Sequence, residues 1–187
     1  MASPQTKATV ISAAVVAILT PFVMHYEGDK PVGYRDAAGI ATAGVGHTGP
    51  DVTVGKFYDK ATREGWLTSD LTAANAVVDR CAPSTINIYQ RAAFVDIAFN
   101  VGSGKKGVKD GFCVLKSGKK PSFLRKAWDG DMAGACNGLL AWDTAKVRRN
   151  GKVKTIKLKG LTRRRKAERD LCMTPVAPVE TAEKVKA

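Results

Sequence analysis

The sequence predicts an α+β fold in which a small N-terminal lobe built on a β-hairpin precedes a larger helical C-terminal lobe, and three observations carry that prediction. The first is the glycine-rich stretch 33–49, GYRDAAGIATAGVGHTG, where 34–36 and 40–45 read as short strands joined by a turn at Ala37, Ala38 and Gly39. The second is apolar spacing of three and four over 71–78 and 88–101, including Tyr89, Ala92, Ala93, Val95, Ile97 and Phe99, which marks core-forming helices. The third is length: 187 residues are enough for one compact domain with two lobes and too few for two full-sized domains.

Charge narrows the class of partner. Thirty Lys and Arg against 17 Asp and Glu leave a net charge of +13, so an anionic partner is expected: nucleic acid, acidic phospholipid or anionic cell wall. Hydrophobic residues at 44% allow a packed core and exclude wholesale disorder. The stretch 33–49 has no G-K-[ST], which sets a phosphate-binding loop aside. Cys81, Cys113, Cys136 and Cys172 lie too far apart for a C-x-x-C site, with only His25 and His47 to join them, so neither a metal nor another cofactor is expected. An even count in an exported chain points to two disulfides, for which three pairings are open. The alternative is four buried thiols in a cytosolic protein.

The N-terminus supports export. After Lys7 comes the uncharged run 8–24, ATVISAAVVAILTPFVM. As a helix it would reach about 25 Å against a hydrocarbon core of about 30 Å, so it barely spans. Its many Ala, Ser and Thr make insertion weak, and no small-residue cleavage site follows. The end of the run has a second reading: Thr20–Pro21 as an N-cap and first-turn pair, opening a short helix from about 21 to 27 that stops at Gly28. An ordinary buried helix is the plain alternative to an anchor.

Tyr26 to His47 fits Y-E-G-x(5)-Y-R-D-x(2)-G-x(2)-T-x-G-x-G-H, with nine residues from Glu27 to Asp36 and six more to Thr42. This pattern resembles the active-site signature of the phage lysozymes of glycoside hydrolase family 24. AFNVGSG at 98–104 resembles the end of that family's central helix, and GLTRRRKAERDLC at 160–172 its closing helix. The resemblance covers about 20–173 and departs near 105–110 and in the basic stretch after Lys146. It implies a lysozyme-like fold with an active-site cleft between the lobes, and hydrolysis of the β-1,4 linkage between N-acetylmuramic acid and N-acetylglucosamine in peptidoglycan. It assigns Glu27 as general acid, and Asp36 with Thr42 as the pair that positions an attacking water. Such chemistry needs two carboxyl groups in different protonation states. Desolvation of Glu27 against Phe22 and Tyr26 is expected to keep it protonated, while Asp36 on an exposed hairpin stays ionised. Without the resemblance, both would read as solvated surface acids.

By the same resemblance Asn100 faces the substrate groove, its alternative being a helix-end cap, and Arg164 or Arg165 reaches the groove; Arg165 is taken as the substrate-binding one. Trp128 and Trp142 are expected to pack the helical lobe, His47 to be a structural hydrogen-bonding residue, and Trp66 receives no role. Between 146 and 166 stand eleven Lys or Arg and no acid, and Asn150–Gly151 within them is a hairpin signal. This basic projection would hold the enzyme near phospholipid or wall polymer, or else is a solvated face. The N-terminus resembles that of signal-anchor-release endolysins. The implied organisation is an anchor segment at 1–24 that partly becomes the first helix, a catalytic domain at 25–173 and a flexible tail at 174–187. The protein would be a monomer, tethered to the inner membrane through 8–24, then released to the periplasm, with no nucleic-acid partner. The disulfides are expected as Cys81–Cys113 and Cys136–Cys172. A lytic transglycosylase and a basic nucleic-acid-binding protein are the rival readings.

Overall fold

A computed structural model of the chain describes residues 11–36, 39–149 and 152–176. The start of the expected anchor at 8–10, the turn residues Ala37 and Ala38, the Asn150–Gly151 turn and the tail beyond 176 lie outside the described residues.

Helix α1 (Ala13–Glu27) opens on Ser12, whose hydroxyl accepts from the Val15 N–H, and closes at Gly28, which takes φ +73° and donates back to the Met24 carbonyl. The expected start at Thr20–Pro21 is therefore corrected: the helix begins two turns earlier, with Pro21 inside it. An interior proline costs about 3 kcal/mol. Extending the helix buries Val15 and Leu19, at 1% and 0% exposure, below Val23 on one stripe, and each contributes roughly 1.5–3 kcal/mol. Burial outweighs the proline, which points outward. The boundary expected at residue 24 also falls inside this helix.

A three-stranded antiparallel sheet follows, β1 (Lys30–Arg35), β2 (Ala41–Gly44) and β3 (His47–Thr48), in that order. Tyr34 pairs with Thr42, and Thr42 with Thr48. A small core of Ala43, Val52 and Tyr58, with Trp66 against it, supports this lobe. The long helix α2 (Lys60–Cys81), capped by Asp59, leads into the helical lobe.

Helix α3 (Ile88–Val101) occupies the bounds expected from its periodicity and carries a full capping box between Asn87 and Gln90. It is buried nearly all round and packs against α1, α2 and α6, which makes it the lobe's axis. Phe94 meets Phe112 and Phe123 with ring centres 5.7 and 5.8 Å apart. Two short helices follow, α4 (Ser122–Trp128) and α5 (Met132–Gly138), then a 3-10 turn, the hairpin β4 (Thr144–Arg149) and β5 (Lys152–Lys157), and the closing helix α6 (Lys159–Cys172). In the loop after α3, Gly104 and Gly111 bring their backbones so close that a Cβ on either would strike the other strand.

Cys81 is joined to Cys113 and Cys136 to Cys172, with Cα atoms 5.5 and 5.6 Å apart. They close loops of 32 and 36 residues, and each adds on the order of 3–4 kcal/mol. Of the tryptophans, Trp142 packs against Phe123 with ring centres 5.9 Å apart. Trp128 does not pack as expected: it is 53% exposed, and its Nε1 donates to the Cys81 carbonyl at 2.8 Å. That hydrogen bond anchors the indole at the surface and leaves much of the ring in solvent.

Candidate active site

A cleft of about 450 Å³ separates the sheet from the helical lobe, with Glu27, Gly46, Thr48, Asp70, Phe99 and Asn100 among its walls. Glu27 arrives there because α1 ends on it. Gly28 then turns the chain sharply into β1, so the carboxylate sits at the junction of the two lobes. Its side chain is 28% exposed. A Cβ on Gly46 would lie 3.8 Å from Glu27 Oε2, and glycine at that turn, with φ +75°, lets sheet and carboxylate approach.

The hairpin places Asp36 and Thr42. Tyr34, Thr42 and Thr48 are cross-strand partners, so their side chains share one face of the sheet, and Asp36 follows directly on the end of β1. Thr48 lines the cleft, so this face is the one turned toward it. Asp36 Oδ1 accepts from the Ile40 N–H at 2.8 Å, which orients the carboxylate at the hairpin end. Thr42 is 3% exposed, and its hydroxyl donates to the Ile40 carbonyl at 3.1 Å. Neither is among the residues lining the 450 Å³ cleft; Thr42 stands on the sheet face beside it and Asp36 at the hairpin end.

The surroundings of Glu27 differ from the apolar seat expected of them. Phe22 and Tyr26 pack on each other, with ring centres 5.2 Å apart, and the Arg164 guanidinium, 5.7 Å from the Tyr26 ring centre, pairs with Glu27 Oε1. Arg164 also forks onto Asp96, with Nε to Oδ2 at 3.0 Å and Nη2 to Oδ1 at 2.9 Å. Burial works against the Arg164 charge, but Asp96 and Glu27 outweigh it and hold the group firmly cationic.

Arg165 is corrected as a substrate contact. It has no exposed surface, and its Nη2 donates to Asn100 Oδ1 at 2.7 Å, so it orients Asn100 and does not reach the groove. Asn100 itself stands on the cleft wall. It also borders a second groove of about 810 Å³ formed by Trp142, Leu161, Lys109 and the base of the β4–β5 hairpin. Sequence reasoning thus chose the wrong arginine of the run 163–165. A usable signal was present: 164, 168 and 172 lie at helical spacing, and a disulfide that buries Cys172 turns 164 and 168 inward. Asp96, a lone charge inside the apolar FVDIAF, was the other sign.

His47 behaves as expected of a structural residue. Nδ1 meets Asp70 Oδ2 at 2.8 Å, Nε2 meets Asp51 Oδ1 at 3.3 Å, and the ring stacks on Trp66 at 4.5 Å. Trp66, given no role from sequence, thereby braces β3 against α2 and the cleft-lining Asp70. No group of His, Cys, Asp and Glu able to hold a metal occurs among the described residues.

The phage lysozyme family model matches residues 24–168. Among curated relatives, the SAR-endolysin of Enterobacteria phage P21 is 32% identical over 147 residues, covering 79% of this chain and 77% of that protein. The SAR-endolysin of Escherichia phage Mu is 32% identical over 146 residues, 78% and 73% of the respective chains. Among solved structures, the muramidase domain of SpmX from Asticaccaulis excentricus superposes with a TM-score of 0.69 at 22% identity, over 90% of this chain and all of that one. The endolysin of Escherichia coli O157:H7 phage FAHEc1 gives the same TM-score and identity over 93% and 99%. At that identity the superpositions speak for the fold alone.

Proposed function

We propose, since this chain belongs to the phage lysozyme family, that it hydrolyses the β-1,4 bond between N-acetylmuramic acid and N-acetylglucosamine of peptidoglycan, and thereby lyses the host cell. The observation that carries the reading is the position of Glu27 on the cleft wall, beside a sheet face that bears Thr42 and a hairpin end that bears Asp36. Glu27 gives a proton to the leaving oxygen from Oε2, the oxygen on the Gly46 side, while Arg164 holds Oε1. Asp36, oriented by the Ile40 N–H, and the Thr42 hydroxyl position water on the opposite face of the sugar and take up its proton as the bond to carbon forms. Asn100, steadied by Arg165, contacts the glycan.

Incubation of the purified protein with peptidoglycan is expected to release new reducing ends, formed first as the α-anomer because the β-linkage is cut with inversion. A first-formed β-anomer would refute the role of Asp36 and Thr42. Anhydro-sugar ends would show a transglycosylase, and unchanged peptidoglycan would remove the hydrolase reading.

The reading extends to location. Residues 8–24 tether the exported protein to the inner membrane before it is released to the periplasm, and the same run supplies the buried stripe of α1 once released. The support is that one segment has two exclusive uses. Val15, Leu19 and Val23 cannot face lipid and the protein core at once, and Glu27 lies three residues past Met24. α1 has 15 residues, and no described helix is long and apolar enough to cross a membrane. Replacing Ser12 and Thr20 together by Leu strengthens insertion by removing two hydroxyls from the run. The double variant should shift protein from the soluble to the membrane fraction and delay lysis; unchanged partitioning would sink the tether.

A further inference from the structure

Beneath the cleft, four charged side chains exposed by 4% or less meet inside the helical lobe: Asp96 from α3, and Arg164, Arg165 and Glu168 from α6. Arg164 commits Nε and Nη2 to Asp96 and extends Nη1 to Glu27 Oε1. Glu168 is placed differently. Arg164 Nε lies 3.5 Å from its Oε1 and Arg165 Nη1 3.1 Å from its Oε2, yet neither oxygen has a hydrogen-bond donor in line among the described residues. Its carboxyl crowds that of Asp96 around one nitrogen, since Arg164 Nε lies 3.5 Å from Glu168 Oε1 and 3.0 Å from Asp96 Oδ2. Two carboxylates repel at such a contact unless one carries a proton. Asp96 already accepts two guanidinium N–H groups and Glu168 accepts none, so the proton belongs on Glu168.

We propose that Glu168 is a positioning residue for the cleavage proposed above: as a neutral acid it donates to Asp96, Asp96 clamps Arg164, and the remaining Nη1 of Arg164 holds Glu27 at the cleft. The inference rests on Glu27 being the general acid. Burial first, then the neighbouring Asp96, pushes the Glu168 carboxyl well above its usual range. Burial would also raise Asp96, but hydrogen bonds from Glu168 and Arg164 outweigh it and hold it low. The other groups facing this pair are Arg165 on α6, and Glu27 and Tyr26 on α1.

The sign for stability follows. A carboxyl whose folded value is raised stabilises the fold fully below its unfolded value, near 4.5, and loses that contribution as pH rises through the folded value. Glu168→Gln is free of this loss, so its melting temperature should gain on the wild type as pH climbs from about 4.5, then level off.

The experiment compares the full-length wild type with Glu168→Gln, Glu168→Leu, Asp96→Asn and Glu27→Gln, reading kcat, KM, melting temperature against pH, and the infrared carbonyl band of neutral carboxyl groups at neutral pH. Glu168→Gln, a neutral isostere whose amide can donate to Asp96, should keep kcat within about threefold, whereas Glu168→Leu should lose about tenfold and Asp96→Asn about a hundredfold, with KM changed by less than about threefold. A neutral-carboxyl band in the wild type should vanish in Glu168→Gln. Absence of that band, a Glu168→Gln loss as large as that of Asp96→Asn, or a melting gap flat with pH would each overturn the proposal. Should Asp96→Asn or Glu168→Leu fail to fold, the band and the melting gap still decide. If the wild type cuts no glycan, or Glu27→Gln cuts as well as it does, the hydrolase reading fails instead, while the band still reports on Glu168.

Discussion

Glu27→Gln is expected to lower peptidoglycan hydrolysis by about a hundredfold to ten-thousandfold, the range that a positioned general acid contributes, with the fold intact. The substitution removes the transferable proton and little else. A glutamine oxygen can still accept from Arg164, whose guanidinium remains clamped by Asp96 on two other nitrogens. Because the Glu27 side chain is partly exposed, any weakening of its contact with Arg164 should cost no more than about 1 kcal/mol after solvent screening. Reducing-end release and a thermal melt on the same preparation separate the two effects. Hydrolysis close to wild type in a folded Glu27→Gln protein would take the acid role from this residue.

Deleting residues 1–24 should abolish the fold together with the activity. The deletion takes Ile11, Val15, Leu19 and Val23 out of the core, at 5%, 1%, 0% and 0% exposure. At roughly 1.5–3 kcal/mol each, the loss is on the order of 6–12 kcal/mol, comparable with the whole stability of a typical domain at about 5–15 kcal/mol. Two disulfides limit the unfolded state, but they cannot fill the groove left beside α3. A chain of 25–187 that melts cooperatively and cuts peptidoglycan would show that α1 is dispensable and that the anchor and the core are separate parts. The milder Leu19→Ala, expected to cost about 2–5 kcal/mol, measures the same contribution without removing the helix.

These two expectations touch the same short segment, and its reading shows where local sequence signals stop. Thr20–Pro21 has the chemistry of a helix start, and taken alone it opens a helix of barely two turns. The helix begins at Ser12 because Val15 and Leu19 find a surface on α3 and α2, and that surface exists only once those helices are assembled. The central helix was legible to its ends, since its own residues carry both the apolar spacing and the capping box. The hairpin at 34–45 was legible because alternation and glycine placement are local. The third strand at 47–48, too short for any pattern, was not.

For the candidate site the division is similar. Glu27, Asp36 and Thr42 stand in a compact motif whose spacing is visible in one line of sequence, and the hairpin brings the last two to neighbouring strands' ends. Which of three neighbouring arginines meets Glu27 was legible only through the phase of α6, which the Cys136–Cys172 bridge and packing on α3 set. Trp128 lies at the surface with its indole anchored to a carbonyl at the end of α2, forty-seven residues away, a partner that no local pattern reveals.

The amino-acid order by itself determined the elements whose stabilising contacts lie within a few residues: capped helices, the glycine-bearing hairpin, and an acid motif beside a chain turn. Tertiary structure decided what depends on partners distant in the chain. It chose the length of α1, the burial of Arg165 and Glu168, and the seat of Arg164 between Asp96 and Glu27. The physical reason is that a charge or an apolar face has no preferred orientation until something is packed against it. Burial and ion pairing take their magnitudes from the neighbour supplied by the fold.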